Sequence, residues 1–381
     1  MGSDYKGVGM AIAALLVLAG VLLAYANGAN DNFKGVATLF GSGTTSYRGA
    51  LAWATATTFA GSVASIFVAH KLVTIFSGTG LVSEAVQQNA AFLPTVACAA
   101  GLTVLLATRL GFPISTTHSL LGALLGPALV AGGTAIDLGY LSTKFVVPLL
   151  VSPFAAIALS YLLYWSFRSS RTSTGIDSKT NICIGEAERP GIVVNEGGTM
   201  AFQSSMALEA SLETTESCQS KYSERVRGLN AEKALDVLHF ATAGLVSFAR
   251  GLNDTPKITA VLLAAGVFGA ASSGALIAVG MALGGLLSAR RVGQVMSKNI
   301  TPLNHGQGFT ANLVTGLLVI VASRYGLPVS TTHVSCGSLF GIGLGTKQAN
   351  WSTIASIVLA WVITLPVALG LATLMYSILA R

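Results

Sequence analysis

Apolar runs long enough to cross a bilayer alternate with short polar breaks along most of the chain. A crossing takes about 20 largely apolar residues for about 30 Å of hydrocarbon. Segments 8–26, 50–69, 91–110 and 145–167 read this way in the first part, and 235–249, 258–288, 309–323 and 353–380 in the second. Shorter apolar stretches lie at 119–131 and 334–345, and 258–288 is long enough for a bent helix or two pieces. The runs are continuous rather than alternating, which predicts helices and not barrel strands, since in lipid every backbone polar group must be satisfied within the structure. The expected fold is an all-α polytopic membrane protein. The first apolar stretch has no small-residue cleavage site after it, so it reads as a span rather than a removed signal peptide.

Composition adds a boundary. Charged residues are 10% of the chain, against about 25% in soluble domains. Most of that charge collects in one stretch, giving three parts: a first repeat over 1–167, a hydrophilic and largely disordered linker over 168–234, rich in Ser, Thr and Glu, and a second repeat over 235–381. Net charge is +7, and the linker holds more acid than base, so the basic balance belongs to the apolar blocks. Lys34, Arg48, Lys71, Arg109, Lys144 and Arg324 sit singly between apolar runs. That spacing excludes nucleic acid as a partner, which would require a basic stripe with interleaved aromatics. The pairs Arg290–Arg291 and Arg168–Arg171 are the expected cytoplasmic ends. Cys98, Cys183, Cys218 and Cys336 show no zinc-ligand spacing, and neither a metal site nor a disulfide framework is expected.

Two motifs occur once in each apolar block. Asn30-Asp31, in NGANDNFKG, is answered by Asn253-Asp254, in RGLNDTPK, 223 positions later. GFPISTTH, ending at His118, is answered by GLPVSTTH, ending at His333, 215 positions later. Two motifs that keep their order and nearly their spacing indicate a duplicated unit. Duplicated membrane units build many secondary transporters, whose sites lie at the repeat interface. An odd number of crossings per unit makes the copies inverted.

Each motif carries a chemistry. Pro113 and Pro328 suit the first turn of a helix, so helices are expected to start near Ser115, Thr116, Thr117 and Ser330, Thr331, Thr332. Free N–H groups and the dipole at such an end attract anions, and the hydroxyls add donors. The plain alternative is that they only cap the helices; duplication at matched positions favours the anion. His118 and His333 are expected to hydrogen-bond to neighbouring helices. Outside residues 168–239 only Asp4, Asp31, Glu84, Asp137 and Asp254 are acidic, and two of these are repeat equivalents. An acid inside an apolar span marks an ion or substrate path. Asp31 and Asp254, with Asn30 and Asn253 and with carbonyls released at helix breaks that Gly28 and Gly251 permit, make hard oxygen sites for sodium. Pairing with Lys34 or Lys257 is the structural alternative. Arg250 adds a positive charge on one side only, for an anion or for Asp254.

On these residues the chain resembles the inorganic phosphate transporter (PiT) family: NGANDNFKG and RGLND are similar to its signature motifs, GFPISTTH and GLPVSTTH to its paired Ser-Thr-Thr-His motifs. The resemblance spans both blocks and omits the linker. It implies two inverted-topology repeats with broken helices and re-entrant helical hairpins, a homodimer, and import of inorganic phosphate by symport with sodium, or with protons. It further implies that Asp31, Asp254, Asn30 and Asn253 take sodium and phosphate, and that the Ser-Thr-Thr hydroxyls bind phosphate. Thr58 and Asn312 stand where many relatives have glutamate, and Arg250 where several have histidine.

The expected function is therefore a secondary carrier of phosphate in the cell (inner) membrane, or in an organelle envelope, with no cofactor. Its partners are phosphate, sodium and the lipid bilayer. A sulfate permease is the alternative within the family. A channel or receptor would need a repeated filter ring or a folded sensor. No Ser/His/Asp arrangement, Walker loop or paired metal ligands point to an enzyme.

Overall fold

The computed structural model describes residues 2–133, 135–176, 179–194, 200–214, 216–218, 227–263 and 266–380. It divides into two compact units, Met1–Tyr164 with His239–Arg381, and Trp165–Leu238.

In the first unit the long helices run α1 Gly2–Asp31, α2 Tyr47–Val68, α3 Phe92–Leu110, α4 Thr116–Val130 and α5 Val147–Thr174. The same order returns in α6 Ala231–Leu263, α7 Ala270–Ser288, α8 His305–Tyr325, α9 Thr331–Thr346 and α10 Trp351–Leu379. Among the described residues, seven helical segments are long and apolar enough to cross a membrane. Their outer faces stay apolar: Leu150, Phe154 and Leu162 on α5 and Leu359, Val362 and Leu374 on α10 are exposed. In a soluble protein such a surface would be a liability; in lipid it needs no cover.

Polar chemistry sets the element ends. Gly111 and Gly326 end α3 and α8 at φ 83° and 70°, left-handed caps that favour glycine. Pro113 and Pro328 follow, and Ser115 and Ser330 then cap α4 and α9 by accepting from the N–H of His118 and His333. At 1.5 Å per residue, the 15 residues of α4 reach only about 22 Å, short of a full crossing. Each hairpin, α3–α4 and α8–α9, therefore brings a helix start into the interior.

The packing exchanges partners between halves. Gly28 on α1 lies against the Met281 carbonyl of α7, and Gly251 on α6 against the Thr58 carbonyl of α2; Gly284 meets the Tyr25 carbonyl, and Gly61 that of Phe248. Each pair is the other shifted by 223 positions. Likewise α4 packs on α10 through Gly122 and Leu365, and α9 on α5 through Gly337 and Pro153.

Two expectations about this unit need correction. The second Asn-Asp motif does not break its helix: α6 runs unbroken from Ala231 to Leu263 through Asn253 and Asp254, whereas α1 does end at Asp31, ahead of the turn Lys34–Val36. Gly28 and Gly251 accordingly serve backbone contact rather than a hinge, because a side chain at either would run into a carbonyl.

The second unit also departs from expectation. Composition across 168–234 predicts a largely disordered linker, yet its described residues include β1 Thr180–Val194, β2 Met200–Thr214 and β3 Arg227–Asn230, antiparallel in the order β2-β1-β3. Met206, Leu208 and Leu212 are exposed on one face of β2 while Glu209 and Glu213 alternate with them. That period of two is averaged away by counting residue types. Cys183 and Cys218 form a disulfide, again against expectation; partners 35 residues apart leave no local spacing signal.

Candidate functional site

Where the hairpin tips meet, the two motifs of each half converge in a buried polar cluster. Asn30 donates from Nδ2 to Thr108 Oγ1 at 2.9 Å and to the Phe112 carbonyl at 3.0 Å, and its Oδ1 accepts from the Ile114 N–H at 3.2 Å. In the other half Asn253 donates to the Val329 carbonyl at 3.3 Å and to Asp254 Oδ1 at 3.0 Å, while its Oδ1 accepts from Ser323 Oγ at 3.2 Å. The two asparagines thus hold the extended entry to each hairpin helix.

The aspartates face one another across a third amide. Asn27 Nδ2 donates to Asp31 Oδ2 at 3.1 Å, to Asp254 Oδ2 at 3.3 Å and lies 3.0 Å from Thr116 Oγ1. Thr116 also donates to Asp31 Oδ2, at 3.2 Å. One nitrogen therefore bridges carboxylates from opposite halves of the sequence.

Each carboxylate also meets a lysine. Lys34 pairs with Asp31, and its Nζ donates to Asn30 Oδ1 at 2.8 Å, the Ile114 carbonyl at 2.8 Å and Thr332 Oγ1 at 2.6 Å. Lys257 pairs with Asp254 at 3.2 Å and donates to the Val329 carbonyl at 2.9 Å and to Thr117 Oγ1 at 2.7 Å. Thr332 donates in turn to the Ile114 carbonyl at 2.7 Å, and Thr117 to that of Val329 at 3.1 Å. Each lysine thereby ties its own hairpin to the tip of the opposite one.

Arg250 has no such partner. It is 1% exposed, and Nε, Nη1 and Nη2 all lack a hydrogen-bond acceptor, although both aspartates act on it electrostatically. Its equivalent in the first half is Asn27, 223 positions earlier. With all groups ionised, Lys34, Lys257 and Arg250 outnumber Asp31 and Asp254 by one positive charge. A buried charge without a counter-group costs several kcal/mol, and Arg250 is the cation left without a hydrogen-bonded one.

The remaining expected residues fall close by. Ser115 and Ser330 spend an oxygen on their caps, with His118 Nδ1 also 3.0 Å from Ser115 Oγ; Thr331 lies buried beside Thr332. His333 hydrogen-bonds to the Leu149 backbone on α5, as expected, whereas His118 Nδ1 turns back to Ser115 within its own hairpin. The rings of His118 and His333 meet at 4.4 Å, and His333 stacks on Trp361 at 3.9 Å. Trp361 donates to the Pro113 carbonyl at 3.2 Å. Thr58 donates to the Ser247 carbonyl at 3.2 Å and Asn312 to Thr38 at 2.7 Å.

Asn27, Thr108 and Ser323 join the cluster without having been singled out, and Lys34 and Lys257 enter it centrally rather than as alternatives. The signal was present in the offsets. Lys34 and Lys257 stand 223 apart, as do Asn27 and Arg250, and Thr108 and Ser323 stand 215 apart.

Buried charge between paired helical hairpins, inside a polytopic apolar bundle, defines a multi-pass membrane transporter. The family model of the phosphate transporter family matches residues 27–372, and the chain belongs to that family. A chain of Pyrococcus furiosus named "Putative phosphate permease" is 26% identical over 97% of this chain and 96% of its own length. The Arabidopsis thaliana protein "Inorganic phosphate transporter 2-1, chloroplastic" is 26% identical over 97% of this chain and 73% of its own. A solved structure described as "The sodium-dependent phosphate transporter" superposes with a TM-score of 0.74 at 20% identity, over 97% of this chain and 99% of that one, and shares the fold. Family membership makes the chain a transporter and not an enzyme.

Proposed function

We propose that the chain moves inorganic phosphate across a membrane by alternating access, with the anion held between Arg250 and the hydroxyl-rich starts of α4 and α9. The observation that carries this reading is the Arg250 guanidinium, buried and without an acceptor at any nitrogen. Phosphate oxygens match the planar donor fork of arginine, and the free N–H groups at the two helix starts add a second set of donors. The exchanged packing of the halves supports inverted repeats that rock about the site. A homodimer in the cell (inner) membrane is part of the same proposal.

Sodium bound by Asp31 and Asp254 with Asn30 and Asn253, the expectation from sequence and the word in the solved neighbour's description, would require Lys34 and Lys257 to leave their carboxylates. Proton symport is the alternative coupling. Uptake of radiolabelled phosphate into proteoliposomes tests the reading: the parent accumulates label, Arg250→Gln does not, and excess sulfate leaves uptake largely unchanged. Full competition by sulfate would shift the assignment to a sulfate permease. Equal uptake by parent and Arg250→Gln would remove the anion from this site.

A further inference from the structure

We propose that Lys34 and Lys257 are resident cations of this carrier: their ammonium groups fill two oxygen cages of the kind that holds a coupling sodium ion, so this chain moves phosphate without sodium. The inference rests on the phosphate reading of the site but concerns what neutralises its carboxylates.

The cages are built alike. Around Lys34 Nζ stand Asp31 Oδ1, Asn30 Oδ1, the Ile114 carbonyl and Thr332 Oγ1. Around Lys257 Nζ stand Asp254 Oδ1, the Val329 carbonyl and Thr117 Oγ1. Carboxylate, carbonyl, hydroxyl and amide oxygens are the ligand set of a hard cation. Both threonines give their own proton to the carbonyl of the same cage, which leaves hydroxyl lone pairs for the centre. An ammonium group brings three donors and no acceptor, and these oxygens receive it.

Position makes the arrangement specific. The lysines lie 223 apart, as the aspartates do, and the carbonyls and the threonines each lie 215 apart. Each lysine is three residues from its aspartate and almost wholly buried, at 3% and 1% exposure. A tethered group competes with a free ion at a high effective concentration, and two cations do not share one cage. The residues that would hold sodium therefore already hold charge supplied by the chain, leaving Arg250 as the unmatched cation for the incoming anion.

The test uses the full chain, purified and reconstituted in choline medium, beside Lys34→Ala and Lys257→Ala. Phosphate uptake is measured in sodium and in choline, and Tm is measured on adding sodium chloride or choline chloride. The expected result is equal parent uptake in both media with no sodium-specific change in Tm, and in each variant a sodium-specific rise of roughly 2 °C or more as the vacated cage binds the ion. Parent uptake that falls about tenfold without sodium overturns the proposal, as does a sodium-specific rise in the parent's Tm comparable with that of a bound ligand. Folded variants indifferent to sodium overturn it too. If the parent takes up no phosphate in either medium, the transport reading fails, while sodium-specific stabilisation of the variants and not of the parent still supports the lysine assignment. Should the variants not fold, the parent's two responses decide.

Discussion

Arg250 and the two threonines that bridge the hairpins set the demands on single residues. Arg250 is the cluster's one cation, among the described residues, whose side-chain nitrogens have no acceptor, so its loss removes no hydrogen bond within the cluster. A hydrogen bond to a charged group contributes about 1.5–3 kcal/mol, and Arg250→Gln should lower phosphate uptake by at least about tenfold while Tm rises, because an uncompensated buried charge is removed, read by proteoliposome uptake and thermal unfolding. Thr117→Val and Thr332→Val act the other way. Each removes a hydroxyl bonded both to a lysine and to a carbonyl across the halves, so each should lower Tm, by about 1 kcal/mol of stability per lost bond, as well as uptake. A threonine variant with unchanged Tm would mean that the bridges are not made. Asp31 and Asp254 were legible in the sequence because acids are scarce between apolar runs. Arg250's lack of an acceptor was not, since only the packed structure shows which carboxylate each cation takes.

At the level of elements, the sequence revealed the hairpins through their caps. Glycine, proline and serine at 111, 113 and 115, and again at 326, 328 and 330, fix where one helix stops and the next begins. Those signals are local. The continuity of α6 through Asn253 and Asp254 was hidden because a glycine that allows two backbones to touch looks the same in sequence as one that allows a bend. Gly28 and Gly251 should behave as equivalents: alanine at either drives a methyl into a carbonyl of the facing helix, a cost of about 1–3 kcal/mol. Thermal unfolding of Gly28→Ala and Gly251→Ala checks this, with similar losses expected from both. A neutral change at either position would mean that the helices do not approach so closely. The strands of the insert stayed illegible for the opposite reason: composition spoke for disorder, while the alternation at 206–213 was short and its partners distant.

For the whole molecule, all the residues of the polar cluster belong to the unit made of Met1–Tyr164 and His239–Arg381, and none to Trp165–Leu238. Replacing both Cys183 and Cys218 by serine should therefore leave phosphate uptake unaltered even where it loosens the sheet; lost uptake would give the insert a part in transport. The repeat is the deepest feature available from sequence alone, because two motifs kept at matched offsets carry three-dimensional symmetry in one dimension. What the offsets could not convey is that each half's lysine closes on the other half's hairpin. The central claim is that an oxyanion sits between Arg250 and the paired hairpin starts. An experimental structure of the purified protein with inorganic phosphate addresses it most directly. The account predicts tetrahedral density within hydrogen-bond distance of the Arg250 guanidinium and of backbone N–H groups at the starts of α4 and α9. Phosphate bound elsewhere, with Arg250 turned onto Asp31 or Asp254, would contradict it.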